Sequence, residues 1–326
     1  MKIKYIAEIG NNHNGDIVLA KEMIDAAIQA GADYVKFQIY NIEKFLEPNS
    51  LYFEEFAREA LTYEDYIELK NYTTRQGGLF LATPFDEDSV KFLSDMKVDV
   101  VKIASGDMNN WQLLGAVATE GKKLLVSIGG ASVTETTKTV DFLKTSGCEF
   151  AILHCTIEYP ASMGELYLSQ ISRLKDRYRC QIGYSDHSLG IEASLGAIAL
   201  GAEIIEKHFT IDTSLPGGDN SMSIVPAQLE RLIREGDNIG LALGKGRRIL
   251  GANEQKTKSL IRREFFAKRA IPNGSSLVDD DLILLRPSTP GDGLGADYYS
   301  RLLERKVNCD IGKGQIITSN LLEQEV

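Results

Sequence analysis

The sequence predicts an α/β fold, a closed (β/α)₈ barrel followed by a small β-rich domain, and three observations carry that prediction. Short apolar runs rich in Val, Ile and Phe alternate with amphipathic stretches eight times. Nearly every run finishes in ionisable or hydroxyl side chains. After Gly251 the alternation stops, and short strand-like runs separated by turns take over.

In order, the apolar runs are Ile3–Ile9, Tyr34–Tyr40, Leu79–Phe85, Val98–Ser105, Lys123–Ile128, Phe150–Ile157, Gln181–Ser188 and Ala202–Phe209. Between the first two, Ile17–Ala30 has apolar residues at helical spacing and stops at Gly31, a good C-cap residue. Thr62–Arg75 ends in the same way at Gly77 and Gly78. Glu87–Asp95, Asn110–Thr119, Val133–Thr145, Leu166–Arg177 and Leu189–Leu200 fill the next gaps. Pro226–Leu243 opens with proline at a helix start and closes at Gly244. Alternating strands and helices imply parallel pairing, and eight units imply closure into a TIM-type barrel. An open doubly wound sheet is the competitor, but its dinucleotide form carries a Gly-rich turn after the first strand. Here that turn reads Gly10-Asn11-Asn12-His13-Asn14-Gly15.

The predicted domains are a barrel over 1–251, a polar linker over 252–264 and a β-rich domain over 265–326. The last has about 60 residues, near the lower limit for independent stability, so it needs a surface to pack on. A chain of 326 residues with 43% apolar and 25% charged residues is an ordinary globular composition. No apolar run approaches the roughly 20 residues that span a bilayer, and Met1–Gly10 lacks signal-peptide regions. The four cysteines show no paired spacing. The expectation is a cytoplasmic protein without a membrane partner. A net charge of −10 argues against nucleic acid, which needs clustered positive charge. Arg262, Arg263, Lys268 and Arg269 are interrupted by Glu264 and two phenylalanines and read as a solvated face.

In such a barrel chemistry sits at the C-terminal strand ends. There the sequence places Glu8; Lys36 and Gln38; Thr83; Lys102 and Ser105, with Asp107 beyond; Ser127; Thr156 and Tyr159; Ser185, Asp186 and His187; and Glu206 and His208. Ionisable groups inside a barrel mouth are costly unless something pairs with them, so the set points to a site. His187 and His208 end consecutive strands, about 4.8 Å apart when paired, and can converge on one ion. Two imidazoles with oxygen ligands suit Mn²⁺, Zn²⁺, Fe²⁺ or a similar ion with open positions. Glu8 and Glu206 are candidate ligands or acceptors for its water. Lys36 and Lys102, amid Thr83, Ser105, Ser127 and Ser185, suit a small anion carrying phosphate or carboxylate; pairing with Glu8, Asp107 or Glu206 is compatible with that role. Ser185-Asp186-His187 is no triad, because strand neighbours face opposite ways. His13 borders the site at most, His154 reads as a core histidine, and Cys155 as a small core residue.

Taken together, Glu8–Gly15, Lys36-Phe37-Gln38, Ala82-Thr83-Pro84-Phe85 and Lys102–Gly106 resemble the sialic acid synthase family. So do Leu153-His154-Cys155-Thr156, Gly183–Ser188, Glu206-Lys207-His208-Phe209 and Pro216-Gly217-Gly218-Asp219. In the tail, Ala270–Gly274, Leu285-Arg286-Pro287 and Asp310–Ile317 resemble its antifreeze-like (SAF) domain. The resemblance implies condensation of phosphoenolpyruvate with an open-chain N-acetylated hexose, with loss of phosphate to give a nine-carbon 2-keto acid. It implies that His187 and His208 bind Mn²⁺, or Mg²⁺ or Co²⁺, and that Lys36, Thr83, Lys102, Ser105, Ser127 and Ser185 hold phosphoenolpyruvate. Glu8 and Glu206 would orient water and manage protons. Gln38, Asp107, Tyr159 and Asp219 would face the sugar, joined by Arg286 from the partner subunit of a domain-swapped homodimer. Two positions depart from the family pattern: Ile157 stands where an asparagine is usual, and Asp107 where a glutamate is usual. They leave open whether the hexose is N-acetylmannosamine or a diacetylated deoxyhexose of the legionaminic or pseudaminic type. A Schiff-base aldolase and a non-catalytic glycan-related binding protein are the competing readings.

Overall fold

Eight parallel strands hydrogen-bond in sequence order and close on themselves: β1 (Lys4–Gly10), β2 (Tyr34–Ile39), β3 (Leu79–Pro84), β4 (Val100–Ile103), β5 (Lys123–Ser127), β6 (Phe150–Cys155), β7 (Gln181–Asp186) and β8 (Ile204–His208). The computed structural model describes residues 2–244, 246–289 and 291–323. The described residues fall into two compact units, 1–245 and 246–326, which divide ahead of Gly251. Among them no helix is long and apolar enough to cross a membrane.

Each strand of the first unit is followed by a helix, and several of these helices have their start fixed by a local side chain. Asp16 accepts from the Val18 and Leu19 N–H groups to open Ile17–Gln29. Thr62 with Asp65 and Ser132 with Glu135 form capping boxes for Tyr63–Arg75 and Val133–Thr145. Such caps contribute about 1 kcal/mol each. Two helices begin later than the sequence predicts. Gln170–Tyr178 waits for a 3₁₀ turn at Met163–Glu165 and a left-handed Tyr167, and Glu192–Ala199 waits for Gly190, also at positive φ. Two helices lie in a stretch with no sequence assignment, Ile42–Phe45 and Phe53–Glu59.

Period-two alternation divides every barrel strand between the helices and the barrel axis. Inside, Ile6, Leu81, Leu125, Leu153 and Ile204 form an apolar floor, all buried. Burying each such side chain contributes about 1.5–3 kcal/mol. Gly183 completes this tier on β7, where a Cβ would come 2.3 Å from Leu153 Cδ2 and 2.7 Å from the Ile204 carbonyl oxygen.

In the second unit β9 (Glu264–Ala267) pairs antiparallel with β10 (Leu282–Leu285), and isolated bridges such as Ile271–Ile311 extend the framework. Phe265, Leu277, Leu302, Val307 and Ile317 fill its own core. The polar stretch expected as a linker is helical over Ala252–Ile261, where good helix formers run without glycine or proline. Within the expected solvated cluster, Arg269 pairs with Asp281 at 2.7 Å and Lys268 with Asp280 at 3.5 Å.

Candidate active site

One step above the floor, the same alternation delivers Glu8, Lys36, Thr83, Lys102, Ser127, Cys155, Ser185 and Glu206 to the barrel axis. Gln38, His187 and His208 follow one further step up, at the rim. Register makes neighbours of Glu8 with Lys36, Glu8 with His208, and Ser185 with Glu206. These side chains line a cavity of about 60 Å³, together with Phe85, Ala104, Ser105 and Tyr159.

Two ammoniums and two carboxylates form its base. Lys36 Nζ lies 2.7 Å from Glu8 Oε2 and 3.8 Å from Glu206 Oε2, and donates to Thr83 Oγ1 at 3.1 Å. Lys102 Nζ stands 3.3 Å from Glu206 Oε1, which also accepts from Ser185 Oγ at 2.9 Å. Burial disfavours the Glu206 carboxylate, but Lys102 and Lys36 outweigh it and hold the group at about 2. Burial also pulls both ammoniums down. For Lys36 two carboxylates overcome this and its pKa is raised, whereas Lys102, with Lys36 opposing it, stays lowered. Lys102 is thus the less compensated cation. Ser127 Oγ is buried without a hydrogen-bond partner, and such a hydroxyl is costly unless a ligand satisfies it.

At the rim, the His187 and His208 ring centroids are 5.4 Å apart, and Tyr159 stacks on His187 at 4.1 Å. Burial and the neighbouring His208 push His187 down to about 3, so it is neutral at pH 7. Its Nδ1 lies 2.7 Å from the Thr156 carbonyl oxygen. A carbonyl accepts only from a protonated Nδ1, which leaves the Nε2 lone pair free as a ligand. No group of three or more His, Cys, Asp or Glu converges as a metal site among the described residues. The chain therefore offers two imidazoles, and this donor set fits a divalent ion with open positions for water or substrate.

Most predicted site residues meet here, and three do not line the cavity. Asp219 lies just outside, its Oδ2 3.4 Å from His208 Nδ1. Asp107 turns aside to accept from Asn110 Nδ2 at 3.0 Å. Arg286 follows β10 in the second unit. Ile157 is half-exposed and leans on the Gly129–Gly130 turn, where a Gly129 Cβ would meet its Cγ2 at 2.6 Å. Asp186 faces the helices, paired with Lys207 at 3.0 Å and accepting from Ser188 and Ser194, so no triad forms. His154 is structural: its Nε2 lies 2.7 Å from the Leu166 carbonyl oxygen. Buried His13 accepts the Gly15 N–H on Nδ1 and lines no part of the cavity. Cys155 is buried as expected and also forms part of the cavity wall, with Sγ 3.7 Å from His187 Nδ1. Strand parity was the signal for it, since it shares the inward phase of Leu153.

The chain is similar along most of its length to known proteins. An N,N'-diacetyllegionaminic acid synthase of Campylobacter jejuni is 34% identical over all of this chain and 98% of its own length. The human N-acetylneuraminate-9-phosphate synthase is 32% identical, over 98% and 92%. A solved N-acetylneuraminic acid synthetase of Leptospira borgpetersenii, in complex with citrate, is 40% identical over 79% of this chain and 90% of that one, with a TM-score of 0.77. The NeuB family pattern itself matches residues 23–248, from the first helix through the last helix of the barrel. With the ion-paired base, the histidine rim and these likenesses in agreement, the chain belongs to the NeuB family, the sialic acid synthases.

Proposed function

We propose that the protein condenses phosphoenolpyruvate with an open-chain N-acetylated hexose, such as N-acetylmannosamine or a diacetylated deoxyhexose, and releases phosphate. The observation that carries this reading is the enclosed Lys36–Lys102 pair with its ring of hydroxyls. Two fixed cations about a small cavity suit an anion bearing both phosphate and carboxylate. Both lysines are ion-paired, Lys36 with Glu8 and Lys102 with Glu206, which suits them to hold one anion between them. The Schiff-base alternative would fall to Lys102, the less compensated of the two, and borohydride trapping with pyruvate tests it.

The C3 carbon of phosphoenolpyruvate attacks the aldehyde carbon, forming the new C–C bond, and the aldehyde oxygen takes up a proton. Water adds at C2 and gives up a proton. The C2–O bond to phosphate then breaks with its electron pair leaving on phosphate, the C2 hydroxyl left by the water passes its remaining proton to that phosphate, and a 2-keto acid remains. Lys36, Lys102, Thr83, Ser105, Ser127 and Ser185 hold the donor. Glu206 is ionised at neutral pH and accepts hydrogen bonds from water or a hydroxyl. Glu8 stands across Lys36 for the same duty. Gln38, Tyr159 and Asp219 border the open side, where the sugar enters. His187 and His208 would hold a divalent ion, Mn²⁺ above Mg²⁺ or Co²⁺, and that ion would supply Lewis-acid polarisation of the aldehyde.

The second unit is assigned as an antifreeze-like domain on its Ala270–Gly274, Leu285–Pro287 and Asp310–Ile317 motifs. In a domain-swapped homodimer, Arg286 would serve the sugar end of the partner subunit's site. A cytoplasmic setting fits a reaction that consumes phosphoenolpyruvate. Phosphate release across a panel of N-acetylated hexoses, with His187→Ala as control, tests the reading. Release that needs hexose, metal and His187 is expected; release independent of hexose overturns it.

A further inference from the structure

Asp219 reaches His208 from a loop that crosses two glycines in left-handed conformation, Gly217 at φ +72° and Gly218 at φ +48°. Such a loop needs an anchor. One buried amide supplies it from the opposite end of the sequence. Asn12, fully buried in the loop after β1, accepts the Asp219 N–H on Oδ1 at 2.8 Å. Its Nδ2 donates to the Phe209 carbonyl at 2.9 Å and to Ser223 Oγ at 2.9 Å. Phe209 is the residue after His208, so the same amide holds the chain leaving His208 and the backbone of Asp219. Ser223 Oγ in turn donates to the Asp219 carbonyl at 2.7 Å. Asn220 closes the set by donating to the Asn12 and Gly217 carbonyls. A Cβ at Gly218 would stand 2.9 Å from Asn12 Oδ1, which explains the glycine at this close approach.

We propose that Asn12 is a positioning residue that sets the Asp219–His208 spacing, and through it the affinity for the sugar rather than for the phosphate donor. The assignment of the sugar to this side rests on the function proposed above. Neither aspartate nor alanine does the same work: aspartate keeps the acceptor for Asp219 but turns an oxygen on the Phe209 carbonyl, and alanine removes all three contacts.

The test compares wild type with Asn12→Ala, Asn12→Asp, Asp219→Ala and the double variant Asn12→Ala/Asp219→Ala. Asn12→Ala is expected to raise the hexose KM 10- to 100-fold while the phosphoenolpyruvate Kd, read by calorimetry, stays within twofold. The double variant is expected to be no worse than Asp219→Ala alone. Equal weakening of both substrates, or additive losses in the double variant, overturns the proposal. Hydrogen–deuterium exchange reads the same device without turnover: the Asp219 amide should exchange faster in Asn12→Ala, and unchanged exchange there overturns it. An absence of hexose-dependent turnover in wild type would count against the proposed reaction and leave the exchange result to decide on Asn12. If Asn12→Ala does not fold, Ser223→Ala, which frees the Asp219 carbonyl and one Asn12 Nδ2 hydrogen but keeps the Asn12 bonds to the Asp219 N–H and the Phe209 carbonyl, gives the milder form of both readouts.

Discussion

Lys36 and Glu8 stand opposite each other in the β1–β2 register, 2.7 Å apart and both shut away from solvent. A buried pair of this kind is costly to break from one side, because the remaining charge keeps its desolvation penalty without its partner. Lys36→Met therefore lowers stability by about 3–5 kcal/mol, visible as an earlier urea midpoint. Lys102→Met leaves Glu206 still beside Lys36 and lowers stability by less than half as much. Binding of phosphoenolpyruvate to Lys102→Met weakens about 10- to 150-fold, the equivalent of one charge-assisted hydrogen bond. Equal stability losses in the two variants would contradict this division of labour.

The floor beneath the site makes a separate prediction. Gly183→Ala drives a methyl into Leu153 and the Ile204 backbone, and overpacking of this kind costs about 1–3 kcal/mol. Urea denaturation checks it, and a neutral result would mean that β7 and β8 can separate without loss.

His13 sets a pH dependence. Burial holds it at about 4, against weak opposing attraction from Asp16 and Asp65, while the unfolded value is near 6.5. The unfolded chain thus binds the proton first, and stability falls as pH drops from about 6.5 toward 4, by on the order of 3 kcal/mol from this residue. In His13→Gln the slope of unfolding free energy against pH should shrink by about one proton over that window. An unchanged slope would show that His13 is not buried as a neutral ring.

Ile157→Asn tests the departure from the family pattern. Ile157 leans on the Gly129–Gly130 turn and lines no part of the catalytic cavity. We expect the phosphoenolpyruvate KM to change by less than about fivefold, below the effect of one net hydrogen bond of about 1 kcal/mol. A tenfold fall would show that the asparagine reaches the donor after all.

Much of this site is legible in the sequence because strand parity is a local rule. Once Ile6 points inward so does Glu8, and the same step relates Leu81 to Thr83, Leu125 to Ser127 and Ile204 to Glu206. The same rule reaches Cys155, which its unremarkable neighbours conceal. Asn12 is not legible at all: its bond to Asp219 joins residues 207 positions apart, and a polar loop residue gives no hint of such a partner. Asp107 and Ile157 show the limit of pattern matching, since side-chain direction there follows the local turn. The helix at Ala252–Ile261 was hidden for a different reason, as an exposed helix has no apolar stripe to mark it.

The most direct test of the central claim follows the oxygen between C2 and phosphorus. With phosphoenolpyruvate labelled by ¹⁸O at that position and an accepted hexose, condensation through water addition at C2 predicts the label in the released phosphate, with unlabelled oxygen at C2 of the keto acid. Label retained in the keto acid, which requires cleavage between phosphorus and oxygen, would contradict the account.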